Sequence, residues 1–219
     1  MLRRELKGLC LILDQDLLRS RPEEAMARAL SGGVRLFQYR DKSGPRRSIY
    51  ETARLLAPLA HRSQATFIVN DHADIAAAAD ADGVHLGQDD LPIEAARRIL
   101  GRDKIIGIST HDADQARTAE KAGADYIGFG PLFVTTTKMA GTARGTGSLA
   151  LIRQSVSVPI FAIGGINSRN VADVIRAGAD GAAVISAVLS APDVAEAAEE
   201  MVRIIRTAGA AIQKPGGHT

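Results

Sequence analysis

Two short segments rich in acids and amides could hold a metal ion. Asn70-Asp71 and Gln88-Asp89-Asp90 each follow a short apolar run. Carboxylate and amide oxygens are hard ligands, which favour Mg²⁺ over zinc. Two adjacent carboxylates repel each other unless a proton or cation lies between them. Since either pair alone is more often a helix cap than a metal ligand, the metal hypothesis requires the two segments to meet.

A mixed segment, Gln38-Tyr39-Arg40-Asp41-Lys42, follows another apolar run and combines an amide with two cations. Strand alternation places Gln38, Arg40 and Lys42 on one side, where they could bind a polar heterocycle and an anion. The alternative interpretation is a solvated loop with incidental charges.

Two further segments have the small residues and free backbone N–H groups that bind phosphate. Gly164-Gly165-Ile166-Asn167 and Ile185-Ser186-Ala187 follow the last two apolar runs of the chain. Backbone N–H groups at such turns can hold an anion. The sequence therefore predicts a phosphate site there.

Hydroxyl groups follow two other runs. The hydroxyls of Ser109-Thr110 could contact phosphate or equally cap the next helix, and His111 fits a structural role better than that of a catalytic base. The longest loop, from Gly130 to Gly147, contains Thr135-Thr136-Thr137-Lys138. A loop of that length is more often a functional lid than a passive linker, and Lys138 could bring positive charge over a bound phosphate.

The elements that position these residues are eight short apolar runs, which predict strands. They are Leu9–Leu13, Leu36–Tyr39, Thr66–Val69, Gly83–Leu86, Ile105–Ile108, Tyr126–Phe129, Ile160–Ile163 and Ala182–Ile185. Alanine-rich helical patterns alternate with them: Pro22–Leu30, Arg47–His61, Asp74–Ala79, Ile93–Leu100, Ala113–Ala122, Leu149–Gln154, Ser168–Ala177 and Val194–Thr207.

Eight β-α units in 219 residues favour a single-domain α/β fold, the TIM (β/α)₈ barrel, over an open doubly wound sheet. A weak repeat of the form Ala-Gly-Ala-Asp, at 122–125 and 177–180, supports the count. We expect the barrel to span 1–208 and residues 209–219 to be a frayed tail. Because TIM-barrel active sites lie at the carboxyl ends of the strands, the polar segments above share one rim.

Composition excludes several classes of protein. Lysine and arginine number 27 against 25 acids, so no charge excess drives nucleic-acid binding, and no segment is long and apolar enough to predict a membrane span. Cys10 is the single cysteine, so an intramolecular disulfide is excluded. Because it lies in an apolar run, it is expected to be buried. We expect a cytoplasmic protein; the sequence leaves the oligomeric state open and is compatible with a homo-oligomer.

Taken in order, these motifs closely resemble those of the thiamine-phosphate synthase family. The resemblance covers nearly the entire chain and rests on six ordered motifs: Gln38–Lys42, Ile68–Asp71, Val84–Asp90, Gly107–Ser109, Thr135–Lys138 and Ile163–Ile166. Minor departures are Cys10, where an aromatic residue is common, and the 139–147 segment, which differs from the usual proline-containing loop.

The resemblance implies a Mg²⁺-dependent transferase with two phosphorylated small-molecule substrates and no nucleic-acid or membrane partner. It assigns the pyrimidine diphosphate to Gln38, Tyr39, Arg40, Asp41, Lys42, Asn70, Ser109 and Lys138. It assigns the thiazole phosphate to Thr135, Thr136, Thr137, Gly165, Ile185 and Ser186, and Mg²⁺ to Asp71 and Asp90. Arg40, Lys42, Ser109 and Lys138 are the implied catalytic residues.

Alternatives on the same fold are a thiazole tautomerase, a sugar-phosphate isomerase or epimerase, and a non-catalytic phosphate-ligand sensor. Asp71, Asp90 and Lys138 argue against the tautomerase, which needs no diphosphate-metal site. The isomerase or epimerase would share the phosphate site but would not explain the acidic pair beside Arg40 and Lys42. The sensor lacks an evident DNA-binding or signalling segment.

Overall fold

Eight parallel strands close into a barrel in sequential order, and helices connect each strand to the next. The computed structural model describes residues 6–135 and 142–212. The strands are β1 (Gly8–Asp14), β2 (Leu36–Arg40), β3 (Thr66–Asn70), β4 (Gly83–Leu86), β5 (Ile105–Thr110), β6 (Tyr126–Phe129), β7 (Ile160–Ile163) and β8 (Gly181–Val184). The helices are α1 (Pro22–Ser31), α2 (Arg46–Arg62), α3 (Ala73–Ala78), α4 (Ile93–Leu100), α5 (Ala113–Lys121), α6 (Gly145–Ser155), α7 (Val171–Arg176), α8 (Ser186–Leu189) and α9 (Val194–Ile212).

The predicted TIM barrel is confirmed, although the bounds of several elements differ from the prediction; α7, for example, spans Val171–Arg176 and not Ser168–Ala177. Helix α6 begins at Gly145, four residues before the predicted start at Leu149, so the loop after β6 is shorter than expected. A short helix, α8, follows β8 directly, as in many phosphate-binding barrels. Helix α9 continues to Ile212, beyond the predicted end at Thr207, because Ala208 still packs in the core.

Strand alternation divides the core into two layers. Side chains such as Phe37, Phe67 and Val84 point outward and pack under the helices. The interior layer is smaller, and its buried apolar members are Cys10, Ile12, Leu36, Ile68, Tyr126, Phe161 and Ala183. Cys10 is buried there, as predicted, and burial raises the pKa of its thiol to about 12, so it acts as a small apolar side chain.

The sequence repeat has a structural cause at the amino ends of alternate strands. Asp82, Asp125 and Asp180 immediately precede β4, β6 and β8, and each accepts a backbone N–H from the start of the preceding strand at 2.8 or 2.9 Å. A basic side chain from α2, α4 or α6 contacts each carboxylate; these are His61, Arg97 and Arg153. We call this set the aspartate staples, because each joins two adjacent strands to a helix.

Within residues 6–135 and 142–212, no helix combines the length and apolar character needed to span a membrane.

Candidate active site

Asp71 and Asp90 meet at the carboxyl end of the barrel, although 19 positions separate them in the chain. Asp71 follows β3 with a φ of +66°, a strained conformation for a residue other than glycine, and its N–H donates to the His85 carbonyl at 2.8 Å. Asp90 follows β4 and accepts the Gly87 N–H at 2.6 Å. The two carboxyl groups lie close enough for Asp90 to raise the pKa of Asp71.

The electrostatics of the acidic pair suit a bound cation. Burial raises the pKa of Asp71, the neighbouring Asp90 raises it further, and an ion pair with Lys42 opposes the shift. The Asp71 side chain is 12% exposed, so its charge is poorly solvated. A cation between the two carboxylates would relieve their repulsion.

The donor set also fits Mg²⁺ in particular. In the part of the chain that the structure describes, no three His, Cys, Asp or Glu side chains cluster as a complete protein metal site. Mg²⁺ is commonly held by one or two carboxylates, with water and substrate phosphate completing its coordination. Asp71 and Asp90 supply such a pair.

Arg40 is fixed by a residue that the sequence reasoning missed. Asp14, the last residue of β1, is in register with Arg40 and forms an ion pair with its guanidinium. Both side chains are largely buried, at 4% and 14% exposure. The β1 carboxylate therefore orients Arg40 while Lys42, on the following loop, reaches Asp71.

The other residues of the β2 segment divide between two sides of the barrel wall. Gln38 is buried and lowers the pKa of Tyr126, which belongs to the interior layer. Tyr39 belongs to the outer layer, and its hydroxyl donates to Gln15 Oε1 at 3.1 Å. Asp41 Oδ1 accepts the Gly44 N–H at 2.7 Å, so this carboxylate closes its own turn. Alternation along β2 thus puts Gln38 and Arg40 on the interior side, whereas Tyr39 lies in the outer layer and Asp41 lies in the turn after the strand.

Ser109 lies on the opposite part of the rim, at the end of β5. Its Oγ is 2.9 Å from His85 Nε2, and its carbonyl accepts the Gln88 side-chain N–H at 2.6 Å. Asn70, the last residue of β3, is in register with His85. These contacts link the ends of β3, β4 and β5.

The two residues after Ser109 have structural contacts. Thr110 is buried and donates to the Gly128 carbonyl at 3.0 Å, while His111 Nδ1 lies 2.8 Å from the Gly130 carbonyl. The cap of α5 is Asp112, which accepts the Gln115 N–H at 2.8 Å. Neither Ser109 nor Thr110 therefore caps this helix.

The predicted phosphate segment on β7 packs against the loop after β6. A Cβ added to Gly165, which has a φ of +66°, would lie 2.7 Å from the Val134 carbonyl oxygen and 2.8 Å from Phe133 Cβ. The Phe133 N–H donates to the Gly164 carbonyl at 3.0 Å. Gly165 therefore sets the position of the loop in addition to exposing backbone.

The remaining predicted residues lie around this loop or outside the described residues. Thr135 ends the described part of the loop, and Thr136, Thr137 and Lys138 lie outside it. Ile185 immediately precedes α8 and Ser186 begins it, directly after β8, which is the strand next to β7.

Sequence reasoning missed Asp14, Tyr126 and a structural role for His85. Alternation contained a signal for His85, because a polar residue between Val84 and Leu86 must face the barrel interior. Tyr126 gave no such signal, since a tyrosine at the start of an apolar strand is usual in a core.

Comparisons with known proteins point to one family. Residues 9–188 match the family model described as thiamine monophosphate synthase. A thiamine-phosphate synthase from Chloroflexus aurantiacus is 48% identical over 199 residues, covering 90% of this chain and 92% of the relative. One from Methanospirillum hungatei is 48% identical over 200 residues, covering 90% and 97%.

A solved structure described as a thiamine phosphate pyrophosphorylase from Pyrococcus furiosus is also similar. It has a TM-score of 0.84 and 41% sequence identity, over 92% of this chain and 96% of that one. The family match and the two relatives each span most of the barrel, including the strand ends that carry the site. The chain belongs to the thiamine monophosphate synthase family.

Proposed function

We propose that this chain is a Mg²⁺-dependent thiamine-phosphate synthase that releases pyrophosphate. It would join 4-amino-2-methyl-5-(diphosphooxymethyl)pyrimidine to 4-methyl-5-(2-phosphooxyethyl)thiazole or its carboxylated form. The observation that carries the proposal is the ion pair of Lys42 with Asp71 at the rim, where Asp90 is near enough to raise the pKa of Asp71 and Arg40 is oriented by Asp14. That cluster combines cations with a metal-type carboxylate pair, as a diphosphate requires.

Two anion sites follow from the arrangement of the rim. The pyrimidine diphosphate would lie over the ends of β2 to β5, within reach of Gln38, Arg40, Lys42, Asn70 and Ser109, with Lys138 contributed by the loop. The thiazole phosphate would lie near Thr135, Gly165 and Ser186, at the ends of β7 and β8. Because both substrates carry phosphate and cross membranes poorly, we expect the reaction in the cytoplasm.

The metal would be held by Asp71 and Asp90. When bound, Mg²⁺ supplies positive charge against the diphosphate oxygens. Lys42 forms an ion pair with Asp71 and is 46% exposed. Its ammonium could therefore turn toward a substrate anion when Asp71 binds the metal ion.

The protein's contribution to the reaction is electrostatic. Loss of pyrophosphate breaks the bond between the exocyclic carbon and the diphosphate oxygen, and the thiazole nitrogen captures the cation-like carbon. Negative charge on the leaving oxygens rises as that bond breaks. Arg40, held in place by Asp14, and Lys42 would stabilise this charge without a protein nucleophile.

The test is a product assay in which each substrate is omitted in turn. We expect thiamine phosphate, identified by mass spectrometry, when both substrates and MgCl₂ are present. Incubation with the thiazole substrate alone should leave it unchanged. Conversion of that single substrate into an isomer, without thiamine phosphate in the complete mixture, would instead indicate a tautomerase.

A further inference from the structure

Four polar side chains from four strands are connected through the barrel interior beneath the proposed site. Gln38 of β2 adjoins Tyr126 of β6 and lowers the pKa of its hydroxyl. The Tyr126 hydroxyl lies 2.9 Å from His85 Nδ1 on β4, and His85 Nε2 lies 2.9 Å from Ser109 Oγ on β5. We call Gln38, Tyr126, His85 and Ser109 the interior chain.

Two glycines make room for the rings of the interior chain. A Cβ on Gly107 would lie 2.1 Å from Tyr126 Cζ, and one on Gly128 would lie 3.2 Å from His85 Cε1. Phe161 packs edge-on against Tyr126, with ring centroids 5.5 Å apart. The surrounding strands therefore hold both rings in one orientation.

The position of the proton on His85 fixes which groups donate and which accept along the interior chain. A neutral imidazole has one N–H and one bare nitrogen, so the two ends of the His85 ring have opposite hydrogen-bonding roles. If the Tyr126 hydroxyl donates to Nδ1, Nε2–H donates to Ser109 Oγ, and the Ser109 proton is available to the site. In the reverse direction, Ser109 donates to Nε2 and presents lone pairs only.

The first direction is favoured by the surroundings of Tyr126. Burial raises the pKa of Tyr126 well above its ordinary value, so the phenol keeps its proton. Gln38 opposes that shift through its hydrogen bond, as an amide N–H donating to the phenol oxygen would do. If an amide N–H of Gln38 occupies the phenol oxygen, the acceptor left for the phenol proton is His85 Nδ1, which lies 2.9 Å from the hydroxyl.

We propose that Tyr126 and His85 are positioning residues that make the Ser109 hydroxyl a hydrogen-bond donor toward the pyrimidine ring of the substrate. The ring is the partner because Gln38 and the interior chain lie deep in the barrel mouth, whereas Lys42 on the diphosphate side is exposed. Uncharged heterocycles suit the buried part and anions the solvated part. This inference rests on the proposed synthase function.

The first test needs no substrate. Nitrogen-15 NMR of the histidine rings, with the His85 signals assigned by their loss in His85→Gln, reports which ring nitrogen carries the proton. We expect the Nε2–H form in the parent protein and a shift toward Nδ1–H in Tyr126→Phe, which removes the phenol donor. An Nδ1–H form in the parent would overturn the proposal, even if the protein makes thiamine phosphate.

The second test measures substrate constants for the same variant. Tyr126→Phe should raise the KM for the pyrimidine diphosphate at least about fivefold, with the KM for the thiazole phosphate and inhibition by inorganic pyrophosphate unchanged. Tyr50→Phe, a tyrosine on α2 outside the site, is the matched control. An unchanged pyrimidine KM, or an equal loss of pyrophosphate inhibition, would overturn the assignment to the ring.

The two tests separate failure of the inference from failure of the proposed function. A parent protein without synthase activity would refute the function, while the NMR result would still decide the direction of the interior chain. An active parent whose Tyr126→Phe variant keeps all its constants would refute the inference alone.

Discussion

At the scale of single residues, the cations of the proposed diphosphate site depend on acidic partners. Arg40 is held by Asp14, and Lys42 by Asp71. An arginine side chain has many rotamers, and fixing it before substrate binds reduces the entropy lost on binding. Asp14 is therefore a positioning residue for Arg40.

Replacing Asp14 with asparagine should affect both stability and substrate binding. The change removes one charge of a buried pair and leaves Arg40 without its counter-charge, so we expect the free energy of unfolding to fall by about 1–3 kcal/mol. The KM for the pyrimidine diphosphate should rise, since Arg40 is no longer oriented. Urea denaturation and steady-state kinetics measure the two effects, and Asp103→Asn, at an exposed aspartate before β5, is the matched control.

Strand alternation was enough to predict that Gln38 and Arg40 share a side, but it could not identify Asp14. That pairing depends on the register between β1 and β2, which sets Asp14 opposite Arg40. Register depends on how the whole barrel closes, so it cannot be predicted from the sequence of either strand alone. The same reason explains why the contact of Tyr126 with His85, across the interior, was missed.

At the scale of elements, the turn after β7 and the loop after β6 act as one unit. Gly164 and Gly165 lie against residues 131–134, and the Leu132 N–H donates to the Ile163 carbonyl at 2.9 Å. The predicted phosphate site is therefore in direct contact with the first residues of the predicted lid. The sequence indicated both segments but not their contact.

Replacing Gly165 with alanine should displace the loop. The added Cβ meets Phe133 and Val134 at less than 3 Å, so we expect the KM for the thiazole phosphate to rise more than that for the pyrimidine diphosphate. Gly101→Ala is a matched control, because Gly101 has a φ of +80° and a Cβ there meets nothing within 4 Å. A selective effect of Gly165→Ala on the pyrimidine diphosphate would show that the two anion sites are exchanged.

Lys138 belongs to the same loop, outside the described residues, and its role remains a prediction. Its ammonium would oppose charge that grows as the C–O bond breaks, so Lys138→Ala should slow the chemical step and not binding alone. We expect single-turnover formation of thiamine phosphate, at saturating substrates and Mg²⁺, to fall at least about tenfold, or roughly 1.4 kcal/mol. Equal rates for parent and variant would remove Lys138 from the catalytic assignment.

At the scale of the whole molecule, the aspartate staples lie at the amino ends of the strands, while the site lies at the carboxyl ends. This separation lets one rim stabilise the barrel and leaves the other for binding and chemistry. The stability contributed by the aspartate staples can offset the backbone strain at Asp71 and the repulsion between the two carboxylates.

Asp125→Ala tests this division of roles. Asp125 accepts N–H groups from Ile106 and Arg97, and its side chain is 10% exposed, so the free energy of unfolding should fall by about 1–3 kcal/mol. Both substrate KM values should stay unchanged under conditions where the variant is folded. Asp103→Ala, an exposed aspartate before β5, should change neither quantity.

The central claim is that two carboxylates at the barrel rim support Mg²⁺-dependent release of pyrophosphate. Phosphorus-31 NMR of the complete reaction, titrated with MgCl₂ after EDTA treatment, measures pyrophosphate and thiamine phosphate together. Asp90→Asn removes one proposed ligand, and Asp89→Asn makes the same change at the exposed neighbouring residue. We predict equal amounts of both products only when Mg²⁺ is present, a loss of at least about tenfold in rate for Asp90→Asn, and parental behaviour for Asp89→Asn. Formation of both products at the parental rate by Asp90→Asn and Asp71→Asn, with unchanged dependence on Mg²⁺, would contradict the account.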